Sequence, residues 1–305
     1  MDDIIRVAVL TFFALVCYSL VRLYIRRCTE ETFSNAGQKV RKVCRTPNQI
    51  YDSFYAKLYD KLFGSKGRDV FTQSEIHLKT IQDKYEPKDV HILDLGCGTG
   101  GHVRAFAKKG YHVIGLDNSK AMVNYCQGKP KCPSIEQGDM HHKSQFEPGS
   151  FTHVTCLYFT LQYSSQPKVV FSNVYNWLEK DGWFIVHIVD PKRVDPLIEA
   201  SSPFPAFSAQ SFSKKRITSS KVVFKGAKYQ GTFKYLPDDD KCTFTETITW
   251  DKKPRTRKHI HTLYTKPLDY YKELGKEVGF TLKHIVDLTA CQYEYQYLYM
   301  FQKKV

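Results

Sequence analysis

No two of the nine cysteines stand in a C-x-x-C spacing, so the paired-thiol signature of zinc modules is missing and no metal site is expected. Scattered single cysteines also leave no framework for a small disulfide scaffold, and they fit a reducing compartment. No internal repeat appears, so the chain is not built as an array. Acidic residues are the scarcer charge, 31 against 45 basic ones, a net of +14. That excess favours anionic partners such as phosphates, nucleic acid or an acidic membrane face, without choosing among them. With 42% hydrophobic and 25% charged residues, the chain is neither disordered nor collagen-like. Its 305 residues admit two domains, or one enlarged α/β domain carrying an insertion.

Residues 7–21 are uncharged and mostly apolar, and residues 4–25 are interrupted only by Arg6 and Arg22. Such a stretch spans roughly 33 Å as a helix, enough for a bilayer core if both arginines snorkel. Asp2 and Asp3 precede it and Arg22, Arg26 and Arg27 follow, flanks that suit an uncleaved anchor better than a secretory signal. Residues 1–27 are therefore expected to form a single-pass transmembrane helix, with everything after it cytoplasmic by the positive-inside tendency. A helix packed on the domain is the alternative. Residues 28–48 are polar and basic and are assigned to a linker, with a surface helix lying on anionic headgroups as the alternative.

From residue 49 to 190 short apolar runs alternate with helical stretches, the pattern of βαβ units and a parallel sheet. Strands are expected at 90–95, 112–116, 134–137, 151–161 and 183–189, with helices at 102–109, 119–126 and 169–178. Between 216 and 264 the pattern changes to four β-rich runs, 216–224, 228–236, 241–250 and 255–264, which read as an antiparallel meander inside an insertion over 191–265. A helix at 267–278 and strands at 281–288 and 293–301 close the chain. The aromatic row Tyr293, Tyr295, Tyr297, Tyr299 and Phe301 shares one strand face and is assigned to core packing.

The first strand runs into a turn containing Gly96, Gly98, Gly100 and Gly101. Glycines between a strand and a helix expose backbone amides and admit a ligand where a side chain would obstruct it. Asp117 ends the next strand, where a carboxylate can accept from ribose hydroxyls, so nucleoside binding is expected, with NAD still open. The ordered set Asp94-x-Gly-x-Gly-x-Gly100, then Asp117-Asn-Ser, then Gly138-Asp139-Met140 resembles the class I S-adenosylmethionine-dependent methyltransferases. The resemblance covers roughly residues 50–190 and 265–303. It implies a doubly wound, seven-stranded, mostly parallel sheet, a methyltransferase domain over 49–305, and S-adenosyl-L-methionine as cofactor. It further implies that the turn from Gly96 through Gly98 to Gly100, with Asp94 below it, holds the methionine portion. Asp117 would take the ribose, Asp139 the adenine amino group, and the Met140 backbone amide the ring. The aromatic stretch with Tyr51, Tyr55 and Tyr59 at helical spacing looks like a cofactor lid, suited to a sulfonium through cation–π attraction.

Methyl transfer chiefly requires alignment and exclusion of water, with a base only where the acceptor must shed a proton. Tyr158, Tyr163 and His187, together with Gln162 and Asp190, fall near the ligand-bearing strand ends. His187 sits mid-strand and also reads as a core histidine. The absence of an Asn/Asp-Pro-Pro-Tyr/Phe segment disfavours methylation of DNA bases. The sequence thus points to a membrane-anchored enzyme acting on a small or lipid-like molecule. RNA, a non-catalytic cofactor-binding module and a homodimer surface on the basic insertion stand as alternatives.

Overall fold

The computed structural model describes residues 40–194, 216–224, 226–236, 240–251 and 255–304. The expected anchor at 1–27 lies outside these residues, as does 195–215 of the insertion. Among the described residues no helix is long and apolar enough to cross a membrane.

Two sheets organise the molecule. The larger uses β2 (His91–Leu95), β3 (His112–Asp117), β4 (Ser134–Gln137), β5 (Phe151–Cys156), β6 (Leu178–Val189), β11 (Phe280–Asp287) and β12 (Gln296–Lys303) in the order β11-β12-β6-β5-β2-β3-β4. The run from β6 to β4 is parallel, and β12 alone is reversed, pairing antiparallel with both neighbours. Every residue of β5 is buried, as expected for a central parallel strand covered on both faces. Helices α4 (Gly101–Lys108), α5 (Lys120–Gln127), α6 (Pro167–Trp177) and α7 (Leu268–Val278) supply that cover. Ser119 starts α5 by accepting from the Met122 amide at 3.1 Å, which satisfies one of the orphan donors of a helix start.

The smaller sheet, in the order β1-β10-β9-β8-β7, contains the expected meander: β7 (Ser219–Phe224), β8 (Ala227–Leu236), β9 (Lys241–Trp250) and β10 (Arg255–Tyr264). Its edge differs from the sequence reading. Val40–Cys44, assigned to the linker over 28–48, forms β1 and pairs parallel with β10, Cys44 opposite His259. Five residues flanked by polar chain carry too short a pattern to reveal a strand whose partner lies more than two hundred positions away. The chain then passes through α1 (Pro47–Ile50) into α2 (Ser53–Phe63) and α3 (Lys66–Ile76). Asp52 caps α2, accepting from the Tyr55 amide at 3.1 Å.

A cluster of Cys44, Ile50, Tyr55, Ala56, Leu62, Met122, Tyr229 and Ile248 joins α2, α5 and the meander. The smaller sheet therefore packs over α2 and the edge of the larger sheet. Two further differences concern strand ends. The strand expected over 151–161 stops at Cys156, and β12 begins at Gln296, so Tyr293 leaves the aromatic row and lies against Arg68, whose guanidinium carbon is 4.9 Å from its ring centroid. Tyr299 and Phe301 stay in the core.

Candidate active site

The C-terminal ends of β2, β3 and β4 meet at one rim of the larger sheet. After β2 the chain turns through Gly96, Gly98 and Gly100 at φ +63°, +54° and +72°, left-handed conformations that favour glycine. A Cβ on Gly96 would lie 2.4 Å from Thr160 Cγ2, whereas one on Gly98 would meet nothing nearer than the Gly96 carbonyl oxygen at 4.0 Å. Gly96 is thus required by packing, and Gly98 faces open space where a ligand's atoms can approach the backbone.

Asp94 is buried beneath this turn and accepts from Thr155 Oγ1 at 2.7 Å. Burial, only partly opposed by that hydrogen bond, pushes its carboxyl up to about 7. Asp117, at the end of β3, accepts from the amides of Gly98 and Ser119, each at 2.8 Å, and burial raises it as well. Asp139 follows β4 and accepts from the His141 amide at 3.0 Å and from Nδ1 at 2.6 Å. Burial acts upward on Asp139, but the bonds from His141 outweigh it and hold the carboxyl below its ordinary range. His141 Nε2 reaches Ser164 Oγ at 2.7 Å. This Asp-His-Ser alignment has the order of a hydrolytic triad, yet Ser164 is buried and its Oγ already accepts from the Gln166 amide, so no exposed nucleophile results.

These groups border a cavity of about 360 Å³, within the size range of small-ligand sites. Asp94, Gly96, Gly98, Asp117, Asp139, Met140, Tyr55, Tyr59, Tyr158 and Tyr163, all singled out in the sequence, lie on its wall. Tyr55 and Tyr59 come from α2, their rings 6.1 Å apart, and burial pushes the Tyr59 hydroxyl up to about 12. Two expected residues lie elsewhere. Gly100 faces away, its Cβ position only 2.2 Å from Cys126 Sγ, so its role is close packing. His187 is withdrawn as a catalytic candidate: it is 1% exposed, off the cavity wall, and edge-on to the rings of Tyr158 and Phe159.

Tyr158 has its hydroxyl occupied, donating to Asp69 Oδ1 and meeting His102 Nε2 at 2.9 Å. Arg68 stacks on the Tyr158 ring at 3.5 Å and hydrogen-bonds the Phe63 carbonyl at 2.9 Å and the Tyr293 hydroxyl at 3.2 Å. Arg68, His141, Tyr293 and His261, also on the wall, were missed in the sequence. Each reaches the cavity through a separate element with no local motif. The charge pattern is equally hidden: Asp60, Asp69, Asp94, Asp117 and Asp139 line the cavity, and Arg68 is the one Lys or Arg among its described lining residues. In a chain of net charge +14, the cavity is acidic.

The family described as "Methyltransferase domain" matches residues 93–186, a span that contains all three strand-end carboxylates. The chain belongs to the class I S-adenosylmethionine-dependent methyltransferases. This methyltransferase is 27% identical over 249 residues to a methyltransferase of Geobacillus sp. (strain WCH70), covering 79% of this chain and 91% of that one. It is 31% identical over 117 residues to dTDP-4-amino-2,3,4,6-tetradeoxy-D-glucose N,N-dimethyltransferase of Saccharopolyspora spinosa, covering 38% and 45%. Among solved structures, the S-adenosylmethionine-bound amino pentose methyltransferase CalS10 of Micromonospora echinaspora superposes with a TM-score of 0.57 at 17% identity, over 82% of this chain and 96% of that one.

The enzyme's methyl donor is S-adenosylmethionine, and the cavity fits it. An acidic wall suits a ligand bearing a sulfonium and an ammonium, and the open face of Gly98 suits close approach to a backbone turn.

Proposed function

We propose that the enzyme transfers a methyl group to the amino group of a small molecule held between α2 and the meander. The observation that carries this is the division of the cavity. Beside the carboxylate and glycine rim, which belongs to the larger sheet, its wall carries Tyr51, Tyr163, Phe233, Phe244 and Leu263, a mainly aromatic surface contributed largely by the meander and suited to a small molecule. The amino-sugar acceptor named for the Saccharopolyspora relative supports the same class. An RNA acceptor draws on the chain's positive charge, but Arg68, the one arginine among the described lining residues, is buried and paired with Asp69.

At residue level, Asp117 would take the ribose hydroxyls and Asp139 the adenine amino group. The Met140 amide would meet the ring, on a turn that Asn173 holds through the Met140 carbonyl at 2.9 Å. The glycine turn with Asp94 would hold the methionine portion, and Arg68 supplies the cation for its carboxylate. The bound donor contributes an electrophilic methyl group. Tyr55 and Tyr59 cover the site and exclude water, while the chamber walls align the acceptor, a contribution of about 7–11 kcal/mol where alignment is complete.

Asp117→Ala removes charge-assisted bonds each worth about 1.5–3 kcal/mol. Calorimetry should show donor affinity weakened roughly 10- to 100-fold, and an unchanged affinity would remove Asp117 from the ribose site. The acceptor class is tested by incubating the enzyme with methyl-labelled donor and separated small-molecule, lipid, RNA and protein fractions. Label confined to RNA or protein would overturn the small-molecule assignment.

The anchor at residues 1–27 belongs to this proposal on its sequence alone, as a tether that keeps the enzyme at a membrane surface. Full-length enzyme expressed in cells should stay with membranes through alkaline carbonate extraction. Release into the supernatant would count against the tether.

A further inference from the structure

A chain of hydrogen bonds leads out of the acceptor chamber into the smaller sheet. Tyr51 Oη donates to Tyr163 Oη at 2.8 Å. Tyr163 Oη meets His261 Nδ1 at 2.5 Å, and His261 Nε2 meets Glu246 Oε2 at 2.7 Å. Tyr51, Tyr163 and His261 border the cavity, whereas Glu246 is wholly buried behind them.

The environment of Glu246 fixes how protons are arranged. Tyr55 donates to both carboxyl oxygens at 2.8 and 2.7 Å, Tyr229 donates at 2.7 Å, and His259 Nδ1 lies at 3.0 Å. Burial acts upward on the carboxyl, but His261 and His259 overcome it and hold Glu246 well below the usual carboxylate range. Arg257 Nε donates to His259 Nε2 at 2.6 Å. A guanidinium only donates, so His259 must carry its proton on Nδ1 and give it to Glu246. An ionised Glu246 likewise takes the Nε2 proton of His261, which leaves Nδ1 of His261 as a lone pair facing Tyr163.

Glu246, His259 and His261 bring their ligating atoms within 4.8 Å of one another, a set with the composition of a metal site. The hydrogen bonds argue otherwise. The lone pair of His259 is taken by Arg257, and Glu246 already accepts from four side chains, so the cluster is saturated by protein donors.

We infer that Tyr51, Tyr163 and His261, backed by Glu246, form a relay that removes the proton from an acceptor bound as an ammonium ion. The inference rests on the small-amine assignment above and sharpens it. An aliphatic ammonium has no lone pair at neutral pH, its pKa being roughly 8–10, so it must lose a proton before attack. In the relay the acceptor N–H bond breaks as its proton passes to Tyr51 Oη, the Tyr51 proton passes to Tyr163, and the Tyr163 proton to His261 Nδ1. The freed nitrogen pair forms the N–CH3 bond as the S–CH3 bond breaks, and that bond's electrons remain on sulfur. Both tyrosines end neutral, and the proton rests on His261 as an imidazolium against the Glu246 carboxylate.

Burial, with neighbouring tyrosines and Glu246 adding to it, keeps Tyr51 far from ionising, and burial raises Tyr163 as well. They therefore pass protons without storing charge. An imidazole suits an ammonium donor, whereas a hydroxyl acceptor, with a far higher pKa, calls for a stronger base. The titratable groups around His261 come from every packed element: Glu246 on β9, His259 on β10, Tyr163 after β5, and Tyr51 and Tyr55 from the lid, with Tyr229 and Arg257 one bond further away.

Two measurements test the relay. In the free protein at pH 8, spectra of nitrogen-15-labelled histidine should place the His261 proton on Nε2, and a proton on Nδ1 would overturn the assignment. Transfer of label from methyl-labelled donor to a small-molecule extract of the source cells is then followed from pH 6 to 10 for wild type, Tyr163→Phe and His261→Gln. At pH 7 both variants should transfer about 100-fold more slowly. The deficit should shrink about tenfold per pH unit toward pH 9, as solvent deprotonates the acceptor. Calorimetric affinity for S-adenosylhomocysteine should match wild type throughout. Variant profiles parallel to wild type would sink the relay while leaving the acceptor class intact. A wild type that binds S-adenosylhomocysteine but labels no amine would sink the acceptor class itself.

Discussion

Between pH 6.5 and pH 4.5 the free enzyme should lose about 4 kcal/mol of stability, most of what a marginally stable domain has. The cause is three histidines buried away from water. Burial pushes His102 and His187 down to about 4 and His153 to about 3, from an ordinary value of 6.5. A depressed imidazole contributes its full stability above its unfolded value and loses it as pH falls toward the folded one, because the unfolded chain binds the proton first. Asp94 works in the opposite sense. Its carboxyl, raised to about 7, binds a proton in the folded state where the unfolded chain does not, so its contribution grows as the pH drops. Three imidazoles less one carboxyl leave about two protons, a slope of about 2.7 kcal/mol per pH unit at full effect. Asp117, also raised by burial, trims that slope. Urea unfolding at the two pH values measures the difference, and equal stabilities would show that these histidines are protonated in the folded state.

Glu246→Ala should be the most damaging single change in the smaller sheet. It strips the acceptor from Tyr55, Tyr229, His259 and His261 in one step, and each of those donors stays buried. Breaking a buried charged network of this kind costs about 3–5 kcal/mol. In an enzyme of this size that corresponds to a melting temperature lower by about 10 °C. Asp251→Ala, at an exposed turn of the same sheet, should stay within about 0.5 kcal/mol of wild type. A loss at Glu246 of under about 1 kcal/mol would mean that solvent or a rearranged partner satisfies the four donors. Glu246→Gln keeps the shape and one acceptor oxygen, so its cost should be intermediate.

The cofactor rim was legible because parallel α/β sheets put their ligand groups at strand ends, and strand ends carry local marks. Gly96, Asp117 and Asp139 each follow an apolar run by a residue or two, so their order along the chain encodes their proximity. The meander was equally readable from its four β-rich runs. The acceptor side was not. His261 and Glu246 lie on neighbouring strands with alternating polar residues that look like a solvated face, and only the packing of α2 against them makes that face an interior. Arg257 illustrates the same point: it lies in the basic insertion yet is 7% exposed, paired with the Asp52 that caps α2. Likewise β1 lacked any periodic signal, since its pairing partner supplies the order that its own sequence does not.

That strand gives β10 a neighbour from the far end of the sequence. Val43 and Cys44 are laced in register to Lys258 and His259, so a strain on β1 would pass directly to the strand that carries His261.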